Sequence, residues 1–102
     1  IDAIEGELKE DVVAVVKECL ANVARHAHAS AVSVNITLFK EGVDTVIQVN
    51  VSDNGRGIDP SITRRSGLAN MGSRARRHLG WVDFYNLDPG TMVSWRATVG
   101  AS

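Results

Sequence analysis

From Leu8 to about Ala29, apolar residues fall at Val12, Val16, Leu20, Val23 and Ala27, a spacing that predicts one long helix with an apolar stripe. The chain then changes period. Val34, Ile36 and Leu38 alternate with Ser33, Asn35 and Thr37 between Val32 and Phe39. After a Glu41-Gly42 turn, Val46 to Ser52 alternates again, so the two runs predict an antiparallel hairpin. Ile58 to Ser66 has no period and holds Pro60, Ser61, Thr63 and two arginines; it reads as a mobile loop placed to serve as a lid. Gly67 opens a second helix through Leu68, Met71, Ala75 and Leu79 that stops at Gly80. Two strands follow, Trp81 to Asn86 and Thr91 to Val99, joined by an Asp88-Pro89-Gly90 turn. The expected fold is an α/β (α+β) two-layer sandwich, with helices on one face of a largely antiparallel mixed sheet. No repeat, low-complexity tract or linker divides residues 1–102, which read as one domain.

Strand phase gives the first chemical signal. Ile47, Val49 and Val51 share one face, so Asp53 falls in phase with the buried side, where a carboxylate needs a partner. Gly55 and Gly57 follow and allow unusual backbone angles or the close approach of a ligand. In the last strand Thr91, Val93, Trp95, Ala97 and Val99 share a face, which puts the Thr91 hydroxyl on the same buried side as Asp53. Together these residues suggest a purine pocket; an ordinary Asx turn is the other reading of Asp53-Asn54-Gly55.

Two further constellations add to that signal. Glu18, Asn22 and His26 are spaced by four, so they form one row on the first helix with Arg25 beside them. At about 100° per residue the row borders the apolar stripe on the side of Val15 and Cys19, leaving Lys17, Ala21 and His28 to face solvent. Asn is a poor residue for a helix interior, so Asn22 at such a border suggests a ligand or ion. His26 and His28 diverge on a helix and do not make a zinc pair. Gly67, at the point where a loop becomes a helix, offers an anion site at the helix N-terminus; a plain helix start with Ser66 as N-cap is the alternative. The glycines make neither a Walker loop nor a dinucleotide fingerprint.

Composition narrows the class. A chain of 102 residues, 44% hydrophobic and 23% charged, suits a soluble globular domain, and a net charge of -1 argues against direct nucleic-acid binding. No apolar run approaches the roughly 20 residues that span a bilayer, and Asp2, Glu5, Glu7, Lys9, Glu10 and Asp11 open the chain where a signal peptide would be apolar. A cytoplasmic domain without membrane contact is expected. The single cysteine, Cys19, reads as a small buried hydrophobe. Arg64-Arg65 and Arg74, Arg76 and Arg77 form either a solvated helix face or an anion-facing patch.

Taken in order, Glu18-x-x-x-Asn22-x-x-Arg25-His26, Asp53-Asn54-Gly55-Arg56-Gly57-Ile58, Gly67-Leu68-x-x-Met71-x-x-Arg74-Ala75, Leu79-Gly80 and Pro89-Gly90-Thr91 resemble the N box, G1 box, G2 box and terminal Gly-Thr strand of sensor histidine kinase ATP-binding domains. That family has the Bergerat fold, shared with gyrase-type ATPases and related chaperones. The short loop before Gly67, the Glu that opens the N box and the Met-x-x-Arg-Ala helix look most like the subfamily paired with helix-turn-helix response regulators. The mycobacterial oxygen- and redox-sensing dormancy kinases are one likeness within it.

The resemblance implies ATP and Mg²⁺ as cofactors and a nucleotide site built from Asn22, Arg25, His26, Asp53, Gly55, Gly57, Ile58, Gly67, Leu68, Met71 and Thr91. Asp53 would accept a hydrogen bond from the adenine amine with support from Thr91, Asn22 would ligate Mg²⁺, Gly67 and its helix would bind phosphate, Arg25 and His26 would balance charge, and Glu18 is a candidate to polarise the nucleophile. It further implies a phosphoacceptor and dimerisation domain of the same protein as partner, and a response regulator downstream. The chain departs from the pattern at Arg65 and Trp81, where glycines are frequent, and in its short lid; the family's first strand is reduced to Ile1-Asp2-Ala3-Ile4. His26, His28 and His78 all lie inside the ATP-binding fold that the resemblance implies, and none has acidic flanks like the acceptor histidine, so this segment alone is not expected to phosphorylate itself. A water-activating ATPase module using Glu18, a degenerate nucleotide-binding scaffold and a serine kinase acting on a sigma-factor antagonist are the competing classes.

Overall fold

The computed structural model describes residues 6–24, 30–55, 68–87 and 90–100. Within them lie, in chain order, α1 (Gly6–Asn22), β1 (Val32–Glu41), β2 (Asp44–Asp53), α2 (Leu68–Arg76), β3 (Trp81–Asn86) and β4 (Thr91–Val99). The strands form an open four-stranded sheet in the order β1-β2-β4-β3, and every pairing is antiparallel. The two helices cover one face, giving the two-layer α+β sandwich of the Bergerat type. The lid assigned to 58–66, the shortened first strand at Ile1–Ile4 and the C-terminal part of the predicted first helix lie outside the described residues.

The hairpin closes at Glu41↔Asp44 around Gly42 and Val43. Gly42 has φ +63°, the left-handed value demanded at the first position of a two-residue hairpin loop. β2 and β4 then pair from Thr45↔Val99 to Asp53↔Thr91, so their inward residues form one apolar floor of Ile47, Val49, Val51, Val93, Trp95 and Ala97. Leu8, Val12, Val15 and Cys19 of α1 and Met71 and Ala75 of α2 pack on it. Burying each of the larger aliphatic side chains among these stabilises the fold by about 1.5–3 kcal/mol. Trp95 is fully buried, and its indole N–H donates to the Met71 carbonyl at 2.9 Å, so the core's largest side chain carries no unmet donor.

The stripe expected at Val12, Val16, Leu20, Val23 and Ala27 is corrected by the structure. The core face of α1 is Leu8, Asp11, Val12, Val15, Cys19 and Asn22, whereas Leu20 is 38% exposed, Val16 is partly buried, and Ala27 lies outside the described residues. The reason is geometric: steps of four drift by about 40° each, while alternating steps of three and four hold one face. Lys17 is exposed as expected, but Ala21 is half-buried. β1 is corrected in a different sense. Val34, Ile36 and Leu38 sit opposite Val51, Val49 and Ile47 on the helix side of the sheet, yet stay 38–42% exposed, because the helices lie over β2 and β4.

The end of α2 also differs from expectation. Leu79, counted into the helix stripe, is 72% exposed and follows the last helical turn with φ +58°. Its N–H donates to the Arg76 carbonyl at 3.2 Å and that of Gly80 to the Ala75 carbonyl at 2.8 Å, a Schellman ending in which the left-handed residue is Leu79 and not the glycine. Gly80 is needed for another reason: a Cβ there would collide with the Arg96 carbonyl oxygen of β4.

A buried ionic knot joins the helices. Asp11, 1% exposed, accepts hydrogen bonds from Arg74 Nη1, Arg77 Nη2 (2.8 Å) and His78 Nε2 (2.7 Å), while Arg77 Nη1 reaches Glu7 at 2.9 Å. Burial by itself would raise the Asp11 carboxyl, but the His78 and Arg74 hydrogen bonds and the charges of Arg77 and Arg74 outweigh it and hold the group below the usual carboxylate range. Two of the arginines that read as a solvated face or an anion patch are therefore structural: Arg74 and Arg77 serve α1.

Candidate functional site

Two rungs of contact orient the helices over the sheet. At one end His78 bonds Asp11 through its ring and accepts from Thr98 N–H at 2.8 Å through its carbonyl. Midway, the Cys19 thiol lies 3.7 Å from Met71 Sδ, and Met71 receives the Trp95 indole. α1 and α2 are thus antiparallel. The far end of the sandwich gathers the last residue of α1, Asn22, the first turn of α2, the end of β2 at Asp53 and the start of β4 at Thr91.

At that end Asp53 and Thr91 are Cα partners, so both side chains point to the helix face, and they are 7% and 4% exposed. Asp53 Oδ1 accepts the Gly55 N–H at 2.8 Å, folding the Asp53-Asn54-Gly55 turn back on its own carboxylate. The Thr91 hydroxyl oxygen is buried and has no hydrogen-bond partner among the described residues. A buried hydroxyl left unmet costs about 1–3 kcal/mol, which marks the spot as one suited to a polar ligand or water. Gly90, at φ +105°, leads directly into Thr91; a Cβ there would collide with the Asp53 carbonyl oxygen, so only glycine brings the two strands' ends this close.

Asn22 is buried at the end of the α1 core face, one step further inward than the border position expected of it, and Glu18 is half-buried. Glu18 lines a cavity of about 410 Å³ between the helices with Ala14, Lys17, Ala21, Asn70, Met71 and Arg74. Met71 forms part of its wall, yet its side chain is almost wholly in the core. Burial raises the Cys19 thiol to about 12, so it stays protonated as a small hydrophobe. Leu68 begins α2. Arg25, His26, Gly57, Ile58 and Gly67 lie outside the described residues. Trp81, at a position where the family often has glycine, turns to the other face of the sheet, where the Arg96 guanidinium stacks on its ring at 4.5 Å and bonds Glu41 at 2.6 Å.

A sequence profile described as "Histidine kinase-, DNA gyrase B-, and HSP90-like ATPase" matches residues 7–96. The chain belongs to this ATPase family. Its boxes, helices and antiparallel sheet are those of the ATP-binding catalytic domain of a histidine kinase, and the family is one that binds ATP. The sensor histidine kinase LnrJ of Bacillus subtilis (strain 168) is 32% identical over 77 residues, 76% of this chain but 18% of that protein. The chain thus spans under a fifth of the length of this curated relative. Among the described residues, no helix is long and apolar enough to cross a membrane.

Sequence reasoning missed Asp11, Arg74, Arg77 and His78 as a unit, and it missed Asn54. The first set pairs across 63 to 67 positions and leaves no local pattern. Asn54 carried a signal that was readable: an Asn between the carboxylate and the glycine of a turn commonly caps nearby backbone.

Proposed function

We propose that this ATPase domain binds Mg-ATP and donates the γ-phosphoryl group to a histidine on a separate phosphoacceptor and dimerisation domain of a two-component sensor kinase, from which a response regulator is phosphorylated. The observation that carries the reading is the buried pair of Asp53 carboxylate and unmet Thr91 hydroxyl on adjacent strand ends. A carboxylate accepts from the exocyclic amine of adenine, and a hydroxyl can both donate and accept beside it. Guanine, which presents a carbonyl where adenine has its amine, would meet a carboxylate with no proton to share.

The other assignments extend from that pair toward the phosphates. Asn22 stands at the same end of the sandwich and would offer its side-chain oxygen to Mg²⁺, a hard cation that keeps several waters and bridges phosphates. When bound, the ion would neutralise phosphate charge. Gly55, Gly57 and Ile58 would let the backbone pass along the nucleotide. Leu68 begins α2, and with Gly67 before it would take phosphate oxygens, whose charge Arg25 and His26 would offset. Met71, buried midway along the helices, would back the site from the core. Glu18, half-buried on the cavity wall, is the candidate to orient the nucleophile.

In the transfer itself, the bond from the γ-phosphorus to the bridging oxygen breaks, a phosphorus–nitrogen bond forms on the acceptor histidine, and ADP departs. We place the reaction in the cytoplasm, with residues 58–66 as the lid of a single domain. His78 is no acceptor here, being buried against Asp11. The test is to mix the domain with a separately produced acceptor domain and γ-labelled ATP. Acid-labile, base-stable label on histidine supports the proposal, and release of free phosphate without labelled acceptor supports a water-activating ATPase in its place.

A further inference from the structure

Asn54 makes a clamp that nothing in the proposed chemistry requires. Its Oδ1 accepts the backbone N–H groups of Ser30 and Ala31, each at 3.0 Å, and its Nδ2 donates to Ser30 Oγ at 2.9 Å. Its own N–H donates to the Ala31 carbonyl at 3.3 Å. Four hydrogen bonds therefore tie one residue of the Asp53-Asn54-Gly55 turn to a two-residue segment more than twenty positions earlier.

What the clamp joins gives it meaning. Ser30 and Ala31 are the last residues before β1, on the chain that leaves α1 after Asn22. Asn54 directly follows Asp53, whose partner across the sheet is Thr91. Val32↔Asp53 is the final pair of the β1–β2 ladder, so the strand ladder ends where the clamp begins. The two chains would otherwise be free to splay apart beyond that pair, because Asn54 and Ser30 are exposed and no core side chain holds them together. An amide side chain is well matched to this position, since its oxygen accepts twice while its nitrogen donates, which an ionised Asp cannot do.

We infer that Asn54 is a positioning residue that holds the adenine end of the site, Asp53 and Thr91, in register with the metal and phosphate end carried by α1. The inference rests on the nucleotide reading proposed above. It makes Asn54 a residue that touches no ligand but sets the distance across which one ligand must reach. A group held at one end only needs no such register, whereas a triphosphate bound at both ends does. The clamp's loss therefore falls on the full nucleotide and spares its adenine half.

The experiment compares adenosine and Mg-ATP on the unaltered chain, Asn54→Ala and Asn54→Asp, by NMR titration and calorimetry, with a thermal melt of each. Asn54→Ala is expected to weaken Mg-ATP about tenfold, the loss of one or two hydrogen bonds' worth of alignment, and adenosine less than about threefold. Asn54→Asp keeps both backbone contacts to Ser30 and Ala31 and is expected to stay within about threefold of the unaltered chain for Mg-ATP. Equal weakening of both ligands, or no weakening of Mg-ATP, overturns the inference while leaving the nucleotide site standing. Failure of the unaltered chain to bind either ligand overturns the nucleotide reading and the inference with it. Amide exchange at Ser30 and Ala31 reports on the clamp without any ligand: unchanged protection in a folded Asn54→Ala would also overturn it.

Discussion

The Thr91 hydroxyl stands on the strand position directly opposite Asp53, buried to 4% exposure and without a hydrogen bond among the described residues. An unmet hydroxyl weakens a fold, so its retention beside a carboxylate is best accounted for by what it does when a ligand is present. Thr91→Val removes the hydroxyl and keeps the shape. We expect ATP affinity to fall several-fold while the melting temperature holds or rises, because the unliganded fold loses no bond. Loss of stability without loss of affinity in paired melts and titrations would show the hydroxyl to be structural.

Asn22 separates the two halves of the proposed site. Replacing it with alanine should weaken ATP by about tenfold in Mg²⁺ and by much less in EDTA, since only the metal-bound form uses the side-chain oxygen. Calorimetry in the two buffers reads this directly. Equal losses in both would assign Asn22, which is buried at the end of the α1 core face, to packing alone.

Asp11 makes acid stability predictable in sign. Its folded carboxyl lies below the ordinary range, so its contribution is complete above the unfolded value of about 4 and is lost as pH falls through the lower folded value. Unfolding free energy should decline below about pH 4, and Asp11→Asn should flatten that decline. At neutral pH we expect Asp11→Ala to cost about 2–3 kcal/mol. That is below the cost of breaking a fully buried ion pair, because Arg74 and Arg77 are each partly exposed and can rehydrate. Urea melts across the pH range test both statements.

Leu79 holds a left-handed backbone at φ +58° with a side chain 72% exposed. Glycine there relieves the strain and sacrifices almost no packing, so Leu79→Gly should stabilise the fold by about 1 kcal/mol, read as a rise of roughly 4–8 °C in melting temperature. A fall would mean that Leu79 contributes packing its exposure does not reveal.

The strands were legible because a period of two is short and local. Trp81–Asn86 and Thr91–Val99 occupy the spans that alternation and the turn residues marked, and Asp53 and Thr91 face each other as phase required. Phase says which side a residue takes but not whether anything covers it, so the uncovered inner face of β1 at Val34, Ile36 and Leu38 was not readable. The helix stripe went astray because steps of four, as in Val12, Val16 and Leu20, rotate off the face that Val15 and Cys19 hold. Nor does Asp11 announce, among five other charged residues near the N-terminus, that it will be buried by partners more than sixty positions away. At the candidate site, strand phase gave the facing of Asp53 and Thr91, whereas the Asn54 clamp and the depth of Asn22 depended on where separate segments meet.

The proposed recognition of adenine by Asp53 underlies every other assignment at the site. Calorimetric titration of ATP into the unaltered domain and into Asp53→Ala is the decisive comparison. A charge-assisted hydrogen bond lost from a buried site should lower affinity by about tenfold to a hundredfold, with the sheet intact by circular dichroism. ATP binding with unchanged affinity to a folded Asp53→Ala would show that adenine is held elsewhere.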